Sequence, residues 1–262
     1  MCSSDLIAII NQKGGVGKTT TAVNLSALLG AMGQRVLMID LDPQGNTTSG
    51  LGMEVDDKSI YEVIMGRMKL TDVMEETEFK NLSIAGSDVR LANAELELVE
   101  VEKREYRLKT AVQSVQQDFD FIFIDCPPSL GLLTINALGA ADSVLIPIQC
   151  EYYALEGVAS LMNTISRVKK TINPHLEIEG VLLTMLDGRT NLGLQVVDEV
   201  KKHFKKQVYA TVIPRSVRLG EAPSHGEPIH VYDKRSAGCV AYVNLAKEVL
   251  KRNNIKVKEF KL

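Results

Sequence analysis

A glycine-rich segment near the N-terminus constrains the fold more than any other feature: it reads Lys13-Gly14-Gly15-Val16-Gly17-Lys18-Thr19-Thr20. The β-branched run Leu6–Ile10 before it predicts a buried strand. After it, apolar residues recur at helical spacing: Ala22, Leu25, Leu28 and Leu29. The glycines therefore lie where a strand turns into a helix, which is the setting of a phosphate-binding loop.

The residue types in this loop suit a nucleotide. Gly14, Gly15 and Gly17 allow positive φ, so backbone N–H groups approach an anion beside the positive end of the helix dipole. Lys18 supplies a charge to the β- and γ-phosphates, and the Thr19 hydroxyl is placed as a ligand of nucleotide-bound Mg²⁺. We predict that residues 13–20, with Val16 and Thr20 included, bind ATP and Mg²⁺.

A second lysine, Lys13, opens the loop, whose spacing is more compressed than usual. Charge alone would make Lys13 a solvated loop residue. However, K-G-G-V-G-K-T-T resembles the deviant Walker A box of the ParA/MinD ATPase superfamily. The resemblance implies that Lys13 reaches the nucleotide of a partner subunit in a homodimer that sandwiches ATP, and that Lys13 and Lys18 both assist hydrolysis.

The next apolar run, residues 34–42, reads as a second buried strand that ends in Asp40 and Asp42. The carboxyl edge of a parallel sheet is where ligands bind, so both acids are aimed at the phosphate loop. Alternatively, either acid serves an Asx turn before Pro43. The string D-x-D-P-Q-G-N resembles the second motif of the family, which implies that Asp42 orients the attacking water and Asp40 supports the metal shell.

A third strand is predicted at residues 120–125, and it closes on Asp125 before two prolines stop it. This is the expected Walker B strand, with Asp125 holding Mg²⁺ through water. The alternative is an aspartate that only caps a buried strand. The segment D-C-P-P-S-L-G-L-L-T-I-N-A-L resembles the Soj branch of ParA.

Strand-like residues 143–147 and 178–183 alternate with helical residues 154–170 and 193–204. This alternation implies right-handed crossovers and a parallel sheet. With 262 residues, 45% of them apolar, one α/β domain has enough material for its core. We predict a single-domain P-loop NTPase-like sandwich, a mostly parallel twisted sheet flanked by helices, over residues 1–254, followed by a short tail at 255–262.

Formal net charge is −3, so any contact with nucleic acid requires a local basic patch. One predicted helix carries four lysines, at positions 201, 202, 205 and 206, and the simplest interpretation is a solvated helix face. Alternatively, Arg189, Arg215 and Arg218 could join these lysines in one patch that faces DNA phosphates. The strings L-D-G-R-T-N-L-G and P-R-S-V-R-L-G-E-A-P-S-H-G look like Soj segments for non-specific DNA binding. The resemblance implies DNA contacts by Arg189, Lys201, Lys205, Arg215 and Arg218, and an adenine site bordered by Pro214 and Arg215.

The resemblance further implies a ParB/Spo0J-type centromere-binding partner that stimulates hydrolysis, and a cytoplasmic, nucleoid-associated location. Four dispersed cysteines, without a C-x-x-C pair, fit a reducing compartment. The chief alternative is a MinD-like ATPase that cycles on the membrane through a C-terminal amphipathic helix. Residues 255–262 mix two- and three-residue apolar spacing, which favours a frayed tail instead.

Overall fold

The computed structural model describes residues 4–151, 156–188, 191–256 and Phe260. Its strands are β1 Asp5–Ile9, β2 Val36–Asp40, β3 Met74–Glu76, β4 Leu82–Ala85, β5 Phe121–Asp125, β6 Ser143–Gln149, β7 Glu177–Leu186 and β8 Val208–Pro214. The helices are α1 Lys18–Ala31, α2 Asn46–Gly50, α3 Ile60–Ile64, α4 Leu91–Glu97, α5 Arg107–Val112, α6 Leu132–Ala140, α7 Glu156–Thr171, α8 Asn191–Phe204, α9 Val217–Glu221, α10 Ile229–Tyr232 and α11 Ala237–Arg252. Short 3₁₀ turns lie at Leu70–Asp72, Arg104–Tyr106, Lys205–Gln207 and Ala222–His225.

The eight strands form one sheet in the order β3-β4-β2-β5-β1-β6-β7-β8. All neighbouring pairs are parallel except β3 and β4, which are antiparallel. Every residue of β2 and β5 is buried, as expected for parallel strands covered by helices on both faces. The predicted fold class is confirmed.

Alternating side chains of each central strand enter two separate cores. On β2, Met38 packs into the layer beneath α1 and α11, whereas its neighbours Leu37 and Ile39 face the opposite layer, to which α6, α7 and α8 contribute. The long apolar stripes of α1 and α11 are thus buried against the sheet and against each other. The central strands are thus buried on both faces, and their carboxyl ends support the site.

Strand register brings the acidic strand ends together. Ile9 pairs with Asp125, and Asp125 pairs in turn with Asp40. The ends of β1, β5 and β2 therefore lie side by side, and the loop between β1 and α1 begins beside both carboxylates.

The C-terminal tail is partly packed, which differs from the frayed segment that its mixed spacing suggests. Ile255 and Phe260 are half-buried against the core layer that contains α1 and α11. Both side chains cover apolar surface of the domain, which favours packing of the described part of the tail. Within the described ranges, no helix is long and apolar enough to cross a membrane.

Candidate active site

The phosphate loop adopts the backbone conformation that its glycines permit. Gly15 and Gly17 have φ values of +71° and +89°, a left-handed backbone conformation that residues with a Cβ rarely adopt. A Cβ built on Gly14 or Gly15 would meet no atom within 4 Å, so the face of the loop is open. The helix α1 then begins at Lys18, whose Nζ donates to the Lys13 carbonyl at 3.3 Å.

Two side chains outside the loop motif hold the loop in place. Asn11 accepts a hydrogen bond from Lys13 N at 3.0 Å and donates to the Pro147 carbonyl at 2.7 Å, which ties the start of the loop to β6. Thr184 on β7 donates to the Val16 carbonyl at 2.8 Å. The sequence motif identified neither side chain, because their bonds to Pro147 and Val16 join residues 136 and 168 positions apart in the sequence.

Asp125 is the centre of the expected metal site. It is buried, and its Oδ2 accepts hydrogen bonds from Thr19 Oγ1 at 2.8 Å and from Thr47 Oγ1 at 2.7 Å. Oδ1 is buried without a hydrogen-bond partner in the part of the chain that the structure describes. A buried oxygen of this kind calls for a missing water or cation, so Asp125 and Thr19 fit a hydrated Mg²⁺. Burial raises the pKa of Asp125 to about 6.

Asp40 lies next to Asp125 in the sheet but faces its own loop. Its carboxylate accepts bonds from Asp42 N at 3.2 Å, Thr48 N at 2.9 Å and Thr48 Oγ1 at 2.7 Å. Burial, followed by the charge of Asp125, raises the pKa of Asp40 to about 7. These contacts make Asp40 an anchor for the segment leading into α2, and its contribution to a metal shell stays a prediction.

Asp42 opens the loop between β2 and α2. Its Oδ1 accepts from Gln44 N at 3.0 Å, and its carbonyl accepts from Gly45 N at 2.9 Å, so the predicted Asx turn does exist. Burial lowers the pKa of Lys18. The negative charges of Asp125 and Asp42 lie close enough to Lys18 to oppose that shift. The turn and the water-orienting role are compatible, because one carboxylate oxygen of Asp42 suffices for the turn.

A cavity of about 220 Å³ adjoins the loop. It is lined by Gly17, Thr20, Thr184, Met185, Ile213, Pro214, Arg215, Ser216, Leu219, Gly220 and Tyr242. Apolar walls with a few polar groups suit a nucleotide base, and the cavity meets the phosphate loop at Gly17 and Thr20. The expected adenine neighbours Pro214 and Arg215 do line it; their contact with a base stays a prediction.

The described basic residues fall into two groups and not into one compact patch. Lys201 and Lys202 lie at the end of α8, and Lys205 and Lys206 lie in the 3₁₀ turn that follows it, just before β8; we call these four the α8 lysines. Arg215 and Arg218 instead follow the end of β8. Because β8 has seven residues, about 20 Å separates the two groups. Arg189 lies outside the described residues.

Both described arginines pair with acids. Arg215 Nη2 is 3.0 Å from Glu151 Oε1. Arg218 contacts Glu221 at 2.8 Å and Asp233 at 3.5 Å. All these side chains are largely exposed or at the surface, so the pairs are weak and their arginines can exchange partners.

The buried carboxyls predict an unusual pH dependence of the metal-free protein. With folded-state pKa values of about 6 for Asp125 and about 7 for Asp40, the folded state binds more protons than an unfolded chain, whose aspartates titrate near about 3.9. The contribution of these two carboxyls to stability is therefore fully present below that value and is lost as pH rises towards 7. We expect Asp125→Asn to flatten this fall, as measured by thermal unfolding midpoints between about pH 4.5 and 8.

The comparison of the two proteins is the control for that measurement. Burial lowers the pKa of His230, which gives a slope of opposite sign, but that slope is present in both proteins and cancels in the difference. An identical pH slope for both proteins would mean that Asp125 is ionised in the folded state without cost.

Comparison with known proteins gives consistent results over almost the whole chain. A family model described as an AAA domain matches residues 4–178. The chain is 59% identical over 246 residues to the sporulation initiation inhibitor protein Soj of Bacillus subtilis, covering 93% of this chain and 97% of that one. It is 51% identical over 253 residues to the chromosome partitioning protein ParA of Myxococcus xanthus, covering 96% of this chain and 89% of that one.

Among solved structures, the chain is similar to cobyrinic acid a,c-diamide synthase from Mycobacterium smegmatis with bound ADP and magnesium. The TM-score is 0.85 at 37% identity, and 96% of each chain is covered. A nucleotide with magnesium is thus bound by a protein of the same architecture.

Proposed function

This chain belongs to the Soj/ParA branch of the ParA/MinD family of partitioning ATPases, and we propose that it uses ATP and Mg²⁺ to switch between a monomer and a DNA-binding dimer. The observation that carries the ATPase assignment is the buried Oδ1 of Asp125, which no described residue satisfies, beside the Thr19 hydroxyl and the open phosphate loop. The family relationship supports the partitioning role.

The chain's own residues divide the work of hydrolysis. Loop amides and Lys18 hold the phosphates, Thr19 and Asp125 hold the metal, and Asp42 positions the attacking water. When bound, Mg²⁺ neutralises charge that develops on the phosphoryl oxygens. Burial of Lys18 strengthens its interaction with phosphate, since a low-dielectric site screens charges less.

We place Lys13 in the dimer. Lys18 already serves the phosphate loop of its own subunit, since its Nζ lies beside the Lys13 carbonyl. Lys13 is half-buried at the start of the loop, where it would face the nucleotide of a second copy. Each subunit then completes the phosphate site of the other, and dimerisation depends on ATP. A ParB-type partner would complete the site further and accelerate a slow intrinsic hydrolysis.

The same geometry offers a link between nucleotide and DNA. Pro214 and Arg215 line the base cavity, and Arg218 follows on α9 within the next turn. Two subunits joined around ATP would present two copies of these arginines, so a weak monomer surface gains avidity. The α8 lysines would contact DNA as a separate group, about 20 Å away along β8.

We expect Arg218→Ala to weaken the binding of the ATP-bound protein to DNA of any sequence while leaving ATP-driven dimerisation intact. Each phosphate contact contributes about −0.9 to the slope of log affinity against log salt, so losing one contact in each of two subunits should flatten the slope by about 2. Co-sedimentation with DNA over a series of salt concentrations measures this.

Arg35→Ala is a matched control. Arg35 is as exposed as Arg218, at 55% against 56%, and pairs with Asp120 at 2.8 Å. It precedes the amino end of the inner strand β2, however, whereas Arg218 follows the carboxyl end of β8. Its loss should not change the salt slope. If Arg218→Ala lowers affinity with an unchanged slope, or abolishes the dimer, then Arg218 supports structure and DNA binds elsewhere.

Adding liposomes to the same assay distinguishes a MinD-like membrane ATPase from a DNA-binding partition ATPase. A MinD-like protein would sediment with anionic vesicles in ATP, whereas the partition ATPase would sediment with DNA. The packing of Ile255 and Phe260 on the domain favours DNA, since these apolar side chains are already half-covered.

A further inference from the structure

Thr47 lies on α2, and the sequence motifs do not single it out. Its side chain is buried, and its hydroxyl donates to Asp125 Oδ2 at 2.7 Å across 78 residues of sequence. A buried threonine hydroxyl more often bonds to a backbone carbonyl in its own helix. Here it reaches the metal-site carboxylate on another strand.

The hydroxyl shares its acceptor with Thr19, which donates to the same Oδ2 at 2.8 Å. Terminal carboxylate torsions are broad, so a carboxylate with one donor can turn and exchange its two oxygens. Two donors on Oδ2 select one orientation and leave the buried Oδ1 for another ligand. Side chains that orient a ligand in this way commonly tune a metal site.

Thr47 also ends the segment that begins with Asp42. The start of that segment is fixed where Leu41 N donates to the Asp125 carbonyl at 2.9 Å. Its end is fixed twice: Thr47 bonds to Asp125, and Thr48 bonds to Asp40 at 2.7 Å. The position of Asp42 relative to the metal carboxylate is therefore set partly by the Thr47 hydroxyl.

We propose that Thr47 is a positioning residue that holds Asp125 in its metal-binding orientation and fixes the Asp42 loop to the same carboxylate. It acts through Asp125. The inference concerns the ATPase site alone, so it stands or falls independently of dimerisation and DNA binding.

The test measures how strongly ADP binding depends on Mg²⁺. In Thr47→Val, which keeps the side-chain shape and removes the hydroxyl, the Mg²⁺ concentration that half-maximally tightens ADP binding should rise about 10-fold to 100-fold. ADP affinity in EDTA should be unchanged, because the phosphate loop is intact. Thr47→Ser, which keeps the hydroxyl, should resemble the parent protein.

Packing and positioning roles separate in this series. If Thr47 matters only for packing, Thr47→Val should keep the parent's Mg²⁺ requirement, whereas Thr47→Ser and Thr47→Ala should raise it. If Thr47 positions Asp125, Thr47→Val and Thr47→Ala should raise the Mg²⁺ requirement and Thr47→Ser should not. Including Thr47→Ala keeps the comparison decisive should Val unfold. Ser26→Ala, which removes a buried hydroxyl within α1, should leave the Mg²⁺ dependence unchanged. An unchanged Mg²⁺ requirement in Val or Ala, or an equal loss of ADP affinity in EDTA, would overturn the proposal.

Discussion

Lys18→Ala should yield a folded protein that no longer binds ATP. The Lys18 side chain is buried and its Nζ lies against the phosphate loop at the Lys13 carbonyl, so it supplies the main charge in a site where screening is weak. Losing a charge-assisted contact to phosphate of this kind should lower affinity at least about 100-fold. Equilibrium binding of a fluorescent ATP analogue measures the loss.

The fold of this variant can be verified separately. Burial lowers the pKa of Lys18, so the nucleotide-free fold bears a cost for its charge, which the nearby Asp125 and Asp42 offset. A cooperative thermal unfolding transition without nucleotide should show that Lys18→Ala is folded. Lys13→Ala is the matched control, since it removes a lysine from the same loop and should retain ADP binding by the monomer. ATP affinity equal to the parent's in Lys18→Ala would refute the site assignment.

Asp42→Ala should bind ATP and dimerise but hydrolyse ATP at least about 100-fold more slowly, because no other described carboxylate is placed to orient the attacking water. Asp40 is held by three hydrogen-bond donors, and Asp125 belongs to the metal site. The DNA-bound dimer should then persist. Single-turnover hydrolysis and size-exclusion chromatography in ATP and Mg²⁺ report the two properties separately.

Asp42→Asn isolates the charge. The amide oxygen can still accept from Gln44 N, so the turn is preserved while the carboxylate is lost, and hydrolysis should remain slow. A monomer in saturating ATP and Mg²⁺ would make Asp42 a structural residue. Hydrolysis at the parent rate in either variant would remove its catalytic role.

Much of this architecture follows from the sequence by itself, because the responsible signals are local. Strand–loop–helix order, apolar periodicity and the glycines with positive φ are properties of neighbouring residues, and they predicted β1, the phosphate loop and α1. The same kind of signal located β5. Strand ends rich in Asp could also be assigned to one edge, since parallel strands end together.

Contacts between distant residues were decided only by the tertiary structure. The pairing of Asp40 with Asp125 depends on strand register, and the bonds from Thr47 to Asp125 and from Thr184 to the loop span 78 and 168 residues. Likewise, the length of β8 separates the α8 lysines from Arg218, although they are close in sequence. Periodicity specifies which face of an element is buried, but which side chains meet is determined by how the elements pack. The sequence therefore specified the phosphate loop and the sheet, while the orientation of Asp125, the anchoring of the Asp42 loop and the base cavity arose from packing.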